Sequence, residues 1–396
     1  MTETRTKIVL KSGKDQSLRR FHPWVFSGAI KKIYGPAREG ALVDIYDNKD
    51  EFLATGHYQA GSIAVRILSF ERMETDPHFW DQKIGQAWQL RRNLGLTDNP
   101  QTNVFRWINA EGDGLPGLIV DYYAGALVIQ VHSVGMFRSL ETITDSLVRA
   151  AGGRVHSIYN KSEGILPERP GIGERSGFLL GDSGSGEVLE NGYRFVVDWM
   201  EGQKTGFYID QRENRKLLGT WSEGRKVLNV FGYTGGFSVY AMGGGAGLVH
   251  TLDSSARAIE MTRQHMEVNF PGNVQHEAFI EDAFDFLKEI RESYDLIILD
   301  PPAFAKHQRV LNNALQGYKR INQKVLEQIA PGGILFTFSC SQAVSRENFR
   351  KSVFAAAANA GRTVRILHHL SQPPDHPVSL FHPEGEYLKG LVLHVE

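Results

Sequence analysis

A chain of 396 residues is long enough for two or three domains at about 150 residues each. Hydrophobic residues make up 41% and charged residues 22%, which excludes a wholly disordered chain, and a net charge of −1 argues against bulk attraction to a polyanion. The single cysteine, Cys340, excludes an intramolecular disulfide framework and any multi-cysteine zinc or iron–sulfur centre, and it fits a reducing, cytoplasmic setting.

The opening stretch MTETRTKIVLKSGKD has no apolar signal-peptide core, and no apolar run approaches the roughly 18 residues of a membrane span, so a soluble chain is expected. Runs at 8–10, 42–46, 52–58 and 63–68, punctuated by Gly40, Asp47, Asn48 and Gly61, predict a small all-β lobe over 1–72. That lobe holds 12 Lys/Arg against 8 Asp/Glu, and residues 1–34 hold 8 against 2. Charge by itself reads first as a solvated surface. The interleaved Phe21, Trp24, Phe26 and Tyr34 shift the reading towards RNA, because bases stack on such rings.

A helix over 77–94, strands at 104–109, 118–123 and 127–132, a helix over 137–150 and a strand at 155–159 predict an α+β lobe over 73–187. Residues 164–186 contain seven glycines and little periodicity, which reads as a linker. A hairpin turning at Asn191 and Gly192 (188–190 with 193–198) follows. Beyond residue 220, strands at 226–230, 248–253, 274–278, 296–300 and 333–338 alternate with helices at 237–242, 255–269, 280–289 and 313–329. A helix over 345–358 and strands at 363–370 and 387–394 finish the chain. Successive βα units imply a doubly wound parallel sheet within 188–396.

Ligands of such sheets bind beyond the carboxyl ends of the strands, so the residues there matter most. The first strand runs into the glycine loop NVFGYTGGF (229–237), the second ends in Asp253, and the third is followed by Asp282. The fourth ends in Asp300-Pro301-Pro302-Ala303-Phe304 and the fifth in Ser339-Cys340-Ser341. The loop is not a strict dinucleotide fingerprint, but its glycines permit close backbone approach. Asp253 suits ribose hydroxyls, and serves equally as a helix cap; Asp282 also reads as an acidic residue in a first helical turn. The two prolines stop the strand, Phe304 offers a flat face, and Asp300 offers a hydrogen-bonding group for the Watson–Crick edge of an extruded base. No histidine spacing suggests a metal site.

The stretch 229–238 together with Asp253, Asp282, DPPAF (300–304) and TFSCS (337–341) resembles the S-adenosylmethionine-dependent RNA cytosine-C5 methyltransferases. Three further stretches, LRRFHPWVFSGAI (18–30), DGLPGLIVDYY (113–123) and GQKTGFYIDQRENR (202–215), resemble the bacterial ribosomal RNA large subunit methyltransferase I family. The resemblance spans nearly the whole chain. It implies a Rossmann-like methyltransferase domain preceded by a small β PUA domain and a central α+β domain, a cytosine of 23S ribosomal RNA as substrate, and a homodimer. It further implies that Asn229, Phe231, Tyr233, Thr234, Gly235 and Gly236 line the methionine part of the cofactor. Asp253 would hold the ribose, Asp282 would sit by the adenine amino group, and Asp210, Gln211 and Arg212 would close the site. Pro301, Pro302 and Phe304 would meet the substrate, as would Lys204, with Arg19, Arg20 and Trp24 in the basic lobe; the part played by Gln203 and Lys204 stays open.

Carbon-5 of cytosine is a poor nucleophile, and adding a thiolate at C6 activates it. Cys340, before a helix starting near Ser345, is the candidate thiolate, and Asp300 the group for N3 and the 4-amino group. A lone cysteine is more often simply buried, and the neighbouring DPPAF turn reverses that reading. Many relatives carry a second cysteine in the proline loop, where this chain has Ala303. Removal of the C5 proton is left to water or to a residue near Asp375 and His376. An amino-group methyltransferase, which needs no thiol, a ribosome assembly factor without turnover, and a nicotinamide dehydrogenase stand as alternatives.

Overall fold

Short apolar runs build most of the strands, and the computed structural model describes residues 5–166, 173, 175–305 and 308–396. Contacts divide the chain into two units. The first comprises Met1–Val188, Val197–Ile209 and Pro374–Gly385; the second comprises Leu189–Val196, Asp210–Pro373 and Glu386–Glu396.

In the first unit, a six-stranded sheet runs in the order Trp24–Phe26, Ile63–Ser69, Phe52–Tyr58, Leu42–Tyr46, Thr6–Leu10, Ile30–Tyr34. Its inward residues, Ile8, Leu10, Val25, Val43, Ile45, Val65 and Ile67, form one buried cluster with Leu18. The two strands that the sequence reading missed are the two edges. Edge strands are half solvated and lack clean alternation. A second sheet orders Ser176–Leu180, Ser157–Lys161, Ala126–Val131, Leu118–Tyr123 and Val104–Asn109. Helix Pro77–Asn93 starts where Asp76 accepts from the Phe79 amide at 2.9 Å with proline in the first turn. It shares a buried cluster with Leu140–Ala151 and this sheet, around Trp80, Ile84, Trp107 and Ile129.

Of the expected linker, residues 167–172 and 174 lie outside the described residues, while Ser176–Leu180 is a strand paired antiparallel with Ser157–Lys161. Residues 374–385 join the first unit through specific bonds. Arg91 donates to the Asp375 carbonyl at 2.7 Å, the Arg106 amide to the Asp375 carboxylate at 2.9 Å, and Asn109 to the Pro377 carbonyl at 2.9 Å.

The second unit is a seven-stranded sheet with β1 (Lys226–Val230), β2 (Leu248–Asp253), β3 (His276–Ile280), β4 (Leu296–Leu299), β5 (Gly333–Ser339), β6 (Val364–Leu370) and β7 (Lys389–Val395). Its order is β3-β2-β1-β4-β5-β7-β6. The first five strands are parallel, and β7 inserts antiparallel between β5 and β6. Helices α1 (Gly236–Gly243), α2 (Ala256–Asn269), α3 (Ala283–Phe286), α4 (Leu311–Gln328) and α5 (Arg346–Ala360) connect or follow the parallel strands. Strands β4, β5 and β7 are almost continuously buried, as expected for strands covered on both faces. One correction concerns 280–289: only Ala283–Phe286 is helical, since Ile280 still belongs to β3 and Asp282 caps the helix from outside rather than lying within it.

Candidate active site

Strand order reverses between β1 and β4, and the site is built at their carboxyl ends. The parallel registers pair Val230 with Leu299 and Leu299 with Thr337, so the glycine loop, the Asp300 turn and the Cys340 turn leave neighbouring strands at one edge.

The glycine loop is wound tightly. Phe231 (φ 59°) and Tyr233 (φ 47°) both adopt the left-handed region, at a cost of about 1–3 kcal/mol each. Two glycines are required sterically. A Cβ at Gly232 would lie 2.4 Å from Thr251 Cγ2, and one at Gly235 (φ 75°) would lie 2.6 Å from Thr262 Cγ2. The loop is held from several sides. The Gly232 amide donates to the Leu252 carbonyl at 2.8 Å, Thr262 Oγ1 to the Tyr233 carbonyl at 3.0 Å, and His265 Nδ1 to the Thr234 carbonyl at 2.7 Å. Burial holds His265 below its usual pKa, in keeping with a neutral ring. Asn229 donates to Ser238 Oγ at 2.9 Å, leaving its buried Oδ1 without a hydrogen-bond partner.

Asp253 accepts from the Tyr233 amide through Oδ2 and from the Ser255 amide through Oδ1, both at 2.9 Å. The cap of α2 is Ser255, whose hydroxyl accepts from Ala258, so Asp253 fastens the loop instead. Its oxygens retain acceptor capacity. Asp282 is the cap of α3, with Oδ1 accepting from Phe284 at 2.8 Å and Asp285 at 3.2 Å.

Gln211 donates from Nε2 to Asp300 Oδ2 at 2.9 Å, and Asn214 fixes the Gln211 amide by donating to its Oε1 at 2.6 Å. Asp210 accepts from the Tyr387 hydroxyl at 2.8 Å. Arg212 opens the helix Arg212–Gly219; its side chain is buried and pairs with Glu213 at 3.1 Å. Pro301 is buried and Pro302 exposed. Phe304 packs on Tyr318 with centroids 4.7 Å apart, over Gly317, where a Cβ would stand 3.1 Å from the ring.

Ser341 ties the fourth and fifth strand ends together: its hydroxyl accepts from the Ala305 amide at 3.0 Å and donates to the Ala305 carbonyl at 2.7 Å. Cys340, partly exposed, lies between Ser341 and Ser339, whose hydroxyl donates to Tyr318 at 2.9 Å. The proline loop and the cysteine turn are therefore one bonded assembly.

Two buried features were not foreseen. Glu190 and Arg215 pair twice, Nε–Oε1 at 2.8 Å and Nη2–Oε2 at 2.7 Å, with side chains 0% and 3% exposed. Arg215 Cδ lies 3.1 Å from where a Cβ on Gly236 would be, directly against the start of α1. The second feature is Lys389, a lysine opening a strand that is apolar but for His394; that contrast was the available signal.

The remaining expected residues belong to the first unit. Lys204 (φ 50°) is exposed, its amine 5.2 Å from the Tyr208 ring centroid, and Gln203 accepts from the Tyr208 hydroxyl at 2.8 Å. Arg19 pairs with Asp15, Asp47 and Glu51, Arg20 is exposed, and Trp24 donates to Glu111 at 2.8 Å. Arg5 and Arg72 likewise face Asp44, so part of the lobe's positive charge is matched locally. Asp375 and His376 are also first-unit residues, both buried. Among the described residues, no group of three or more His, Cys, Asp or Glu side chains is arranged to hold a metal ion, and no helix is long and apolar enough to cross a membrane.

A family model described as an S-adenosylmethionine-dependent methyltransferase matches residues 116–389, and one described as a PUA-like domain matches residues 8–70. The chain is 41% identical over 398 residues to the ribosomal RNA large subunit methyltransferase I of Aeromonas salmonicida, with 98% of each chain covered. It is 40% identical over 400 residues to the protein of that name from Pseudoalteromonas atlantica, covering 98% of this chain and 99% of the relative. Among solved structures, a candidate S-adenosylmethionine-dependent methyltransferase from Streptococcus mutans aligns with a TM-score of 0.84 at 22% identity, over 98% of this chain and 99% of its own. At that identity the likeness speaks for the fold.

Proposed function

The chain belongs to the ribosomal RNA large subunit methyltransferase I family of S-adenosylmethionine-dependent enzymes, and we propose that it methylates carbon-5 of a cytosine in 23S ribosomal RNA. In this reading residues 1–72 read RNA, 73–187 form the central domain, and 188–396 carry the chemistry. Features of the site fit the cofactor: an orphaned acceptor on Asn229 beneath a loop of close backbone approach, and spare acceptor capacity on Asp253. Asn229, Phe231, Tyr233, Thr234, Gly235 and Gly236 line its methionine part, and Asp253 accepts from the ribose hydroxyls. Asp282 stands by the adenine amino group. Asp210 and Gln211 close the site, and Arg212 faces the cofactor carboxylate.

When bound, S-adenosylmethionine supplies an electrophilic methyl group at its sulfonium. Cys340 Sγ, as thiolate, adds to C6 of the cytosine, raising electron density at C5. Asp300 accepts from the 4-amino group and, as the protonated carboxyl, donates to N3 as negative charge develops on the ring, while Gln211 donates to Oδ2 and fixes that carboxyl group. Loss of the C5 proton to water and departure of the Cys340 thiolate restore the ring. Pro301, Pro302 and Phe304 shape the wall against the base, while Arg19, Arg20, Trp24 and Lys204 meet the RNA elsewhere.

The observation that carries this reading is the Ser341–Ala305 tie, which joins the Asp300 loop to the only thiol in the chain. RNA bearing 5-fluorocytosine at the target is expected to form a covalent complex with the wild-type protein and none with Cys340→Ala. Full methyl transfer by Cys340→Ala would instead favour attack by an exocyclic amino group.

A further inference from the structure

Beside the cysteine turn stands a buried cation that the strand-end residues do not account for. Lys389 opens β7 and is the register partner of Ser339, the residue before Cys340. Only 4% of Lys389 is exposed. Its ammonium donates to the Ser341 carbonyl at 2.6 Å and to the Val344 carbonyl at 2.7 Å, the two ends of the turn between Cys340 and the α5 cap Ser345.

A buried ammonium is costly unless it is hydrogen-bonded and electrically compensated. Two carbonyls satisfy two of its three donors. Among the described residues, no carboxylate lies within ion-pair distance of Lys389. Burial draws the amine down to about 8; negative charge on Cys340 and on Glu386 works against that, and Arg346 adds to it. The ammonium therefore persists at neutral pH. Of the other charged or titratable groups around the turn, Arg346 and Glu386 compensate each other at 3.1 Å on the half-exposed side. Tyr318, whose hydroxyl accepts from Ser339, is held neutral by burial and by Cys340 itself.

We propose that Lys389 is a positioning residue for Cys340: its ammonium clamps the turn that carries the cysteine and supplies the positive charge that favours the thiolate. The proposal rests on reading Cys340 as the nucleophile. It assigns to one side chain both the aim of the sulfur and its ionisation, at the attack on C6 and at the departure of the sulfur.

Because Cys340 is the only cysteine, alkylation of the full-length protein by iodoacetamide reports on that thiol alone. The experiment measures the alkylation rate against pH for wild type, Lys389→Gln, Lys389→Met and Lys389→Arg, each checked by its thermal transition. Glutamine keeps two N–H donors without the charge, and so guards against a variant that fails to fold. Loss of the charge is expected to move the alkylation profile about one pH unit upward, slowing the reaction at pH 7 about tenfold, with arginine restoring most of it. In methyl transfer, kcat should fall with its acid limb displaced upward, and KM for S-adenosylmethionine should hold. An unchanged alkylation profile in a folded Lys389→Gln protein overturns the proposal. Should Cys340→Ala retain methyl transfer while the profile still shifts, the nucleophile reading has failed and the lysine–thiol coupling stands.

Discussion

Replacing Glu190 by glutamine tests whether the glycine loop depends on the charge pair beneath it. In the wild type the carboxylate receives two bonds from Arg215 and a third from the Tyr240 hydroxyl at 3.0 Å, all within the interior. Glutamine preserves volume but turns one acceptor into a donor facing the guanidinium. Arg215 cannot relieve the mismatch by losing its proton, so a buried positive charge loses the doubly bonded carboxylate that faces it. Breaking such a pair from one side costs about 3–5 kcal/mol. At roughly 2–4 °C per kcal/mol for a domain of this size, the transition of the second unit should fall on the order of 6–20 °C. Since Arg215 packs against Gly236, isothermal titration should also show weaker binding of S-adenosylmethionine. The double variant Glu190→Met/Arg215→Met removes both charges and should recover much of the thermal loss, because an apolar pair carries no desolvation penalty. Scanning calorimetry reads both outcomes. A Glu190→Gln protein that melts with the wild type would show that the pair does not support the loop.

Two further expectations follow from the same geometry. Gly235→Ala combines a left-handed φ with a Cβ 2.6 Å from Thr262, whereas Gly224→Ala has a similar φ (69°) and nothing within 4 Å. The second should cost about 1 kcal/mol and spare cofactor binding, while the first should cost about 2–4 kcal/mol and weaken it at least tenfold; equal losses in titration and melting would remove the steric reason for the glycine. Acid should destabilise the first unit through His57 and His132. Burial lowers both to about 4, helped at His132 by Arg66 and Arg106. Their folded values lie below the ordinary 6.5, so the stabilisation is complete above pH 6.5 and is lost as pH falls towards 4, by about 3 kcal/mol for each ring. Urea midpoints followed from pH 7.5 to 4.5 should fall less steeply in His57→Asn than in wild type, and parallel slopes would contradict the assignment.

Much of the parallel sheet was legible because its signals are local. Runs such as LIIL at 296–299 and GILFTFS at 333–339 are long enough and apolar enough to be buried strands wherever they pack. The strand ends were legible for the same reason: glycines, prolines and acidic residues break the pattern where a chain must turn. Boundaries set by capping were not. Serine at 255 and aspartate at 282 cap helices, and the sequence does not distinguish a cap from a first-turn residue without the backbone geometry.

Residue types at the sheet edge, one thiol, and the βα rhythm that brings them to one side are properties of the sequence by itself. Partners are not. Glu190 meets Arg215 from 25 positions away, Ser341 meets Ala305 from 36, and Lys389 meets Ser341 from 48, and no local pattern marks any of these meetings. The last two depend on strand order, above all on β7 inserting beside β5, which brings the end of the chain against the cysteine turn. A buried charge declares its chemistry in the sequence, but which group neutralises it is decided only when the low-dielectric interior closes around both.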